Sequence, residues 1–302
     1  MKSKKGIELG FNWIFAISVG IVILFLSIYA ATRFVSTGEK FRYTEGAAEI
    51  VNLFSSLEGR FASKKPAEIN FREDAKLYFD CDELSNRPFG KQTVQIDDGG
   101  KISIKTNYVF SENEIEGKNL YVFSKPFSLG YNVGDLIILS MENYCFVDSM
   151  DEIKDEIIDL NLNNIKFVDD VSDCEEGSIS VCFNNGNCNI KVVGNYESGK
   201  VIKNENEVYY TGNLLFGAIF SSADIYECNV KRLTSRFKEL ALIYRDKIKI
   251  IETRGCESDI DIKLDLAREF EINSSENLII LMENVKEIDE INKRQQDGCE
   301  VW

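Results

Sequence analysis

The chain contains no histidine. That absence removes imidazole metal ligands, imidazole general bases and every Ser/His or Cys/His dyad. Short catalytic signatures are missing too: there is no G-x-x-x-x-G-K-[ST], no G-x-G-x-x-G, no G-x-S-x-G and no C-x-x-C. The phosphate-cradling loop, the dinucleotide turn, the hydrolase elbow and the thioredoxin-type redox pair are therefore excluded. Positive charge is scarce. Lys and Arg number 35 against 50 Asp and Glu, for a net charge of −15. The first ten residues hold Lys2, Lys4 and Lys5 against Glu8, a net +2, so the remainder carries −17. Nucleic-acid grooves and anionic lipid faces are both read by Lys and Arg, so neither suits this body. No catalytic residue, metal or cofactor is expected, and a role other than that of an enzyme follows.

What the sequence does have is one long apolar run. Phe11 to Ala31 reads FNWIFAISVGIVILFLSIYAA, without charge or proline. As a helix at about 1.5 Å per residue it reaches about 31 Å, the thickness of a hydrocarbon layer. Trp13 and Tyr29 stand near its ends, where aromatic rings anchor at headgroups. The run exceeds the apolar core of a cleaved secretory signal, and Tyr29 stands where the small residue of an A-x-A site belongs. A single transmembrane helix over residues 11–31 is expected, behind a short basic leader over residues 1–10. The flanking charges are nearly balanced, with Lys2, Lys4 and Lys5 before the run and Arg33, Lys40 and Arg42 after it.

Cysteine decides the orientation expected. All eight, Cys81, Cys145, Cys174, Cys182, Cys188, Cys228, Cys256 and Cys299, follow the apolar run. An even set confined to one side is the pattern of a disulfide-bonded exported domain, the alternative being eight buried thiols in the cytosol. The expectation is a cytoplasmic N-terminus and an extracytoplasmic body. Eight cysteines allow about a hundred pairings. Two pairs are suggested by position: Cys182–Cys188, flanking an Asn-rich hairpin, and Cys256–Cys299, at one end of an up-down-up helical arrangement.

The leader brings a family into view. Lys4-Lys5-Gly6 followed directly by an uninterrupted hydrophobic helix resembles the prepilin-like, type IV pilin-like proteins of archaea. The resemblance covers only the N-terminal segment. It implies peptidase cleavage after Gly6, a new N-terminus at Ile7, and a helix that anchors the protein or packs into a filament. One departure stands out: many pilins carry glutamate at the fifth mature position, whereas here that position would be Phe11 and the nearest glutamate, Glu8, would be second.

Beyond the apolar run, Ala47, Ile50, Phe54, Leu57 and Phe61 follow helical spacing. They predict a helical stalk over residues 32–64 that packs on the protein's own domain or faces a neighbour. Gly38 and Gly46 weaken the stretch before them, and Lys64-Lys65-Pro66 ends it. Residues 65–212 read as a β-rich domain with one helix, Asp151 to Leu160. Strands are predicted at 76–79, 93–96, 102–110, 119–123, 136–139, 144–147, 164–168, 178–183, 189–193 and 207–210. Asp97-Asp98-Gly99-Gly100 marks a turn, and Asn184-Asn185-Gly186-Asn187 a hairpin. Residues 213–302 read as a helical C-terminal module with a long stripe from Tyr226 to Tyr244. A break follows at Thr253-Arg254-Gly255, then a short helix over 259–270. A last helix starts after Asn273-Ser274-Ser275 and ends near Gly298. The expected class is α+β: a single N-terminal transmembrane helix, an antiparallel or mixed β-rich exposed domain and a C-terminal three-helix module.

Three further clusters have an ordinary reading beside a functional one. Asp169, Asp170, Asp173, Glu175 and Glu176 form a solvated acidic loop or a hard-cation site, and they do not match an EF-hand. Lys231, Arg232, Arg236 and Lys238 read as a wet helix face. Tyr108-Val-Phe110 and Tyr121-Val-Phe123 read as core, or as the wall of a ligand pocket. Asn273-Ser274-Ser275 fits an N-glycosylation acceptor if the domain is exported. Two functions are expected. The first is a membrane-anchored cell-surface structural or interaction protein, a pilin-like subunit being one form of it, with membrane lipid around residues 11–31 and envelope or filament proteins as partners. The alternative is an anchored extracellular domain that binds or senses a small, unidentified ligand.

Overall fold

A computed structural model describes residues 11–57, 66–83, 89–104, 107–183, 186–253, 255–256, 260–295 and 299–302. Its first element, α1 (Phe11–Leu57), runs 47 residues without a break, about 70 Å of helix. Gly38 and Gly46 do not interrupt it. A Cβ at Gly46 would already meet Ile96 Cδ1 at 3.4 Å, so this glycine lies where the helix settles on the body. The predicted stripe faces inward, with Ala47, Ile50 and Phe54 all buried. Phe61, Lys64 and Lys65 lie outside the described residues.

Two six-stranded sheets follow. The first contains β1 (Ala67–Asp82), β2 (Lys91–Ile96), β3 (Ile102–Ile104), β4 (Tyr108–Phe110), β5 (Glu114–Leu129) and β6 (Tyr131–Ser140), in the order β3-β2-β1-β5-β6-β4. Every pairing is antiparallel except β4 with β6. The strand predicted over 102–110 is thus two strands on opposite edges. β5 and β6 meet at Gly130, whose φ of +70° suits the residue that has no Cβ. The Leu136-Ile137-Ile138-Leu139 run is continuous because the sheet is covered on both faces. Ile137 and Leu139 face the core with α1, while Leu136 and Ile138 face the larger core on the other side.

The second sheet contains β7 (Tyr144–Val147), β8 (Ile165–Val168), β9 (Ile179–Phe183), β10 (Ile190–Gly194), β11 (Ser198–Lys203) and β12 (Asn206–Thr211), in the order β12-β11-β10-β9-β7-β8. Helix α2 (Asp151–Ile158) joins β7 to β8. β7, β8, β9 and β10 are mutually parallel, and β10 to β12 form an antiparallel meander. The hairpin predicted around Asn184-Asn185-Gly186-Asn187 is therefore corrected: β9 and β10 run in the same direction, with Ile190 level with Val181. Asn184 and Asn185 lie outside the described residues. The chain doubles back beside β9, held by Asn189 Oδ1, which accepts from the Ser180 N–H at 3.0 Å and the Ser180 hydroxyl at 2.8 Å.

Helices α3 (Leu214–Phe220), α4 (Ala223–Glu252), α5 (Ile260–Glu269) and α6 (Glu276–Lys293) complete the chain. All seven residues of α3 are buried, which is why no period-3.6 pattern marks it. Phe216 and Phe220 meet Phe123 edge-on at 6.1 and 5.6 Å, and Phe220 also packs on Phe146 of the second sheet. α5 lies against α4 and α6, and α6 against β12. The large core runs from Tyr108 to Val301 across both sheets and all four of these helices.

Two consequences of this packing are measurable. A Cβ on Gly217 would stand 2.6 Å from Phe110 Cδ1, and the ring is fully buried. Gly217→Ala is expected to destabilise the fold by about 1–3 kcal/mol despite its better helix propensity, as read by denaturant unfolding. A variant as stable as the parent would show that the ring yields. The second concerns tyrosine. Burial pushes Tyr196 and Tyr210 up to about 12 and also raises Tyr131, Tyr144 and Tyr226. In the unfolded chain these phenols ionise near 10, so above that pH the unfolded state holds fewer protons. Stability then falls as pH rises from about 10 to 12, by up to about 1.4 kcal/mol per pH unit for each tyrosine. Phenolate absorbance should therefore lag in the folded protein and rise together with loss of the fold. Smooth titration of all 12 tyrosines near pH 10 in the folded state would contradict this.

Candidate functional site

The outer half of α1 stands clear of the body. Its most apolar 18-residue window has a mean hydropathy of 2.6 with none of it buried, so it is long and apolar enough to cross a hydrocarbon layer. Ser18 and Ser27 donate their hydroxyls to Ile14 O and Ile23 O of their own helix, both at 2.8 Å, which removes free polar hydrogens from that surface. Further along, Phe34, Val35 and Phe41 remain exposed, Phe34 at 80% and Phe41 at 68%.

The Asp97–Gly100 turn seen in the sequence receives the inner half. The Gly100 N–H donates to Thr44 Oγ1 at 2.7 Å, and Lys40 pairs with Asp98 at 3.3 Å. A Cβ at Gly99 would lie 2.7 Å from Tyr43 Cβ, so the close approach requires glycine. Tyr43, Ala47, Ile50, Val51 and Phe54 then pack on Val94, Ile96, Ile102 and Ile104. The helix is thus built into the domain.

The cysteines form four bridges: Cys81–Cys228, Cys145–Cys174, Cys182–Cys188 and Cys256–Cys299. The two pairs suggested by position are both present. Cys81–Cys228 ties the end of β1 to α4, and Cys145–Cys174 ties β7 to the loop after β8. Gly6 and Ile7 lie outside the described residues.

Helix α4 departs most from the sequence reading. Arg232 is not on a wet face; it is buried, at 1% exposure. Its Nε donates to Phe89 O at 2.8 Å. Its Nη1 donates to Asn229 Oδ1 at 2.7 Å, Gln92 Oε1 at 3.0 Å and Asn107 O at 3.3 Å, and its guanidinium lies 5.1 Å from the centre of the Tyr108 ring. Burial lowers its pKa from the ordinary arginine value, with Tyr108 acting the other way. Gln92 and Asn229 extend the network by donating from their amides to Val109 O at 2.6 and 2.7 Å. Lys231 pairs with Glu83 at 2.8 Å, and Arg236 lies 5.7 Å from the Phe89 ring centre. The missed signal was a second buried side of α4, Ile225, Cys228, Asn229 and Arg232, at i, i+3, i+4 and i+7.

Besides a cavity of about 500 Å³ beside the Cys81–Cys228 bridge, lined by Asp82, Glu83, Asp224 and Glu227 among others, two more border this helix. One, of about 390 Å³ at the start of α4, is lined by Glu112, Asn113, Lys203 and Asp224 among others. Its charged groups are already engaged: Lys203 pairs with Glu112, and the Asn113 amide donates to Asp224 Oδ2 at 2.7 Å. For Asp224 burial acts upward, but the Asn113 bond and the backbone N–H groups at the helix start outweigh it and lower the pKa. The other, of about 290 Å³ further along α4, has Arg232 in its wall.

The remaining clusters resolve simply. Tyr108, Phe110, Tyr121 and Phe123 are buried core. Asp170 Oδ1 accepts from the Ser172 N–H at 2.8 Å, and Glu175 lies 3.5 Å from Lys166. No metal-holding group of three or more acidic or sulfur ligands occurs among the described residues. Asn273 is exposed, whereas Ser275 is buried and donates its hydroxyl to Glu227 Oε1 at 2.5 Å. No protein-family model, curated protein or solved structure matches the chain.

Proposed function

We propose that this chain is a single-pass, membrane-anchored cell-surface protein with a structural or interaction role. In this reading α1 spans the bilayer with its N-terminus in the cytoplasm, and the disulfide-bonded body lies outside. The carrying observation is the continuity of α1, which passes from an exposed apolar stretch directly into the buried core at Ala47, Ile50 and Phe54. A helix built this way holds the body at a fixed height and transmits force to it, which suits a subunit of an envelope assembly. Phe34, Val35 and Phe41 lie just past the apolar run and give a neighbour an apolar surface to meet. Processing after Gly6 in the manner of a prepilin belongs to the same proposal and would leave α1 intact.

The test is a photo-crosslinking residue at Phe34 or Phe41 in intact membranes. Discrete crosslinked assemblies that disappear when the label is moved to exposed Lys118 are expected. A strictly monomeric protein with no partner captured at either position would refute the subunit role. A second reading, a domain that binds or senses a small ligand, draws support from the cavity beside Arg232. A broad thermal-shift screen that finds no stabilising compound would remove it.

A further inference from the structure

A buried guanidinium is ordinarily matched by a carboxylate, because an uncompensated charge in a protein interior is costly. Arg232 has no carboxylate partner among the described residues; the acceptors around it are two backbone carbonyls and two side-chain amides. Its wall of the 290 Å³ cavity is shared with Phe89, Gly90, Lys231, Lys238 and Ile272. Lys231 is answered by Glu83. Lys238 has no ion pair among the described residues. The lining thus holds three cations and one carboxylate, a local positive surplus in a chain whose net charge is −15.

The surplus is not a general property of this surface. The 390 Å³ cavity at the start of α4 sets Lys203 against Glu112 and carries Asp224 as well, a negative surplus. The second cavity combines a buried cation, a second cation six residues further along the helix with no ion pair among the described residues, and the apolar side chains of Phe89 and Ile272. Burial of the Arg232 guanidinium strengthens its attraction for an anion.

We infer that this cavity binds a small oxyanion, the carboxylate or phosphate of a soluble compound, which supplies the counter-charge that Arg232 and Lys238 do not find among the described residues. The hydroxyls of Thr234 and Ser235 already donate to Val230 O and Lys231 O of their own helix, so the anion is held by the two cations and the ring of Phe89 lies along its body. This inference deepens the ligand-binding reading and is independent of the subunit role. Failure of anions to bind removes this ligand class, whereas failure of every compound in a broad screen removes the reading itself.

The experiment uses the full chain in discs of zwitterionic lipid, so that no headgroup carries net charge. Inorganic phosphate and succinate are titrated separately by calorimetry at constant ionic strength. Saturable binding at one site per chain is expected for at least one of them. Lys238→Glu, at a half-buried position of α4 and with its unfolding midpoint checked against the parent, is expected to weaken it about tenfold or more. Lys118→Glu, the same charge change outside the cavity, should leave affinity within about twofold. No saturable binding of either anion would overturn the proposal, as would equal weakening by the two variants.

Discussion

The double substitution Cys81→Ser with Cys228→Ser is expected to lower the free energy of unfolding by about 5 kcal/mol, the largest loss among the four bridges. The bridge spans 147 residues of sequence, against 43, 29 and 6 for the others. Closing a longer loop removes more conformational freedom from the unfolded chain, and for the six-residue loop the same relation gives about 2 kcal/mol. Since small domains retain only about 5–15 kcal/mol in total, losing Cys81–Cys228 leaves little margin. The anchor feels it as well: β1 carries Leu77 and Phe79 of the core that receives α1. Denaturant midpoints of the four double variants, measured side by side, check the order. A Cys182/Cys188 variant that loses more than the Cys81/Cys228 variant would contradict it.

Arg232→Met is expected to cost about 3–5 kcal/mol. The substitution keeps most of the volume and removes the charge, but it strips donors from Phe89 O, Gln92 Oε1, Asn107 O and Asn229 Oδ1 together. Those oxygens belong to the β1–β2 connection, β2, the entry to β4 and α4, so the network is where helix and sheet edges are joined. Lys231→Met, one residue away, removes a pair whose side chains are each about one-third exposed and should cost at most about 1 kcal/mol. Equal midpoints for the two variants would show that Arg232 is not the organising residue of this junction.

The legible parts of the fold were those set by local pattern. The apolar run at 11–31, the stripe at Ala47, Ile50 and Phe54, and the Tyr226–Tyr244 stripe all became helix as spaced. Cys182–Cys188 and Cys256–Cys299 were suggested by closeness in sequence or by equivalent helix ends. Cys81–Cys228 and Cys145–Cys174 join elements whose adjacency depends on long-range strand pairing, and nothing local announces that. The first half of β1 was hidden by Arg72, Glu73 and Asp74, where the register with β5 shifts between Asn70 and Ala75. The Asn-Asn-Gly-Asn turn signalled a reversal but not that β10 would return alongside β9 in parallel. Arg232 is hidden from a single-stripe reading because α4 is buried on two sides. A charged residue on the second side is indistinguishable from a wet one until its partners on β2 and β4 are in place.

Intact mass of the protein extracted from membranes, with thiol alkylation before and after reduction, tests the anchored, exported account most directly. An exported, bridged body shows no alkylation before reduction and a gain of about 8 Da on reduction, one hydrogen for each cysteine. Loss of residues 1–6 through cleavage after Gly6 is expected as well. An uncut chain whose eight cysteines alkylate without reduction would contradict it and place the body on the cytosolic side.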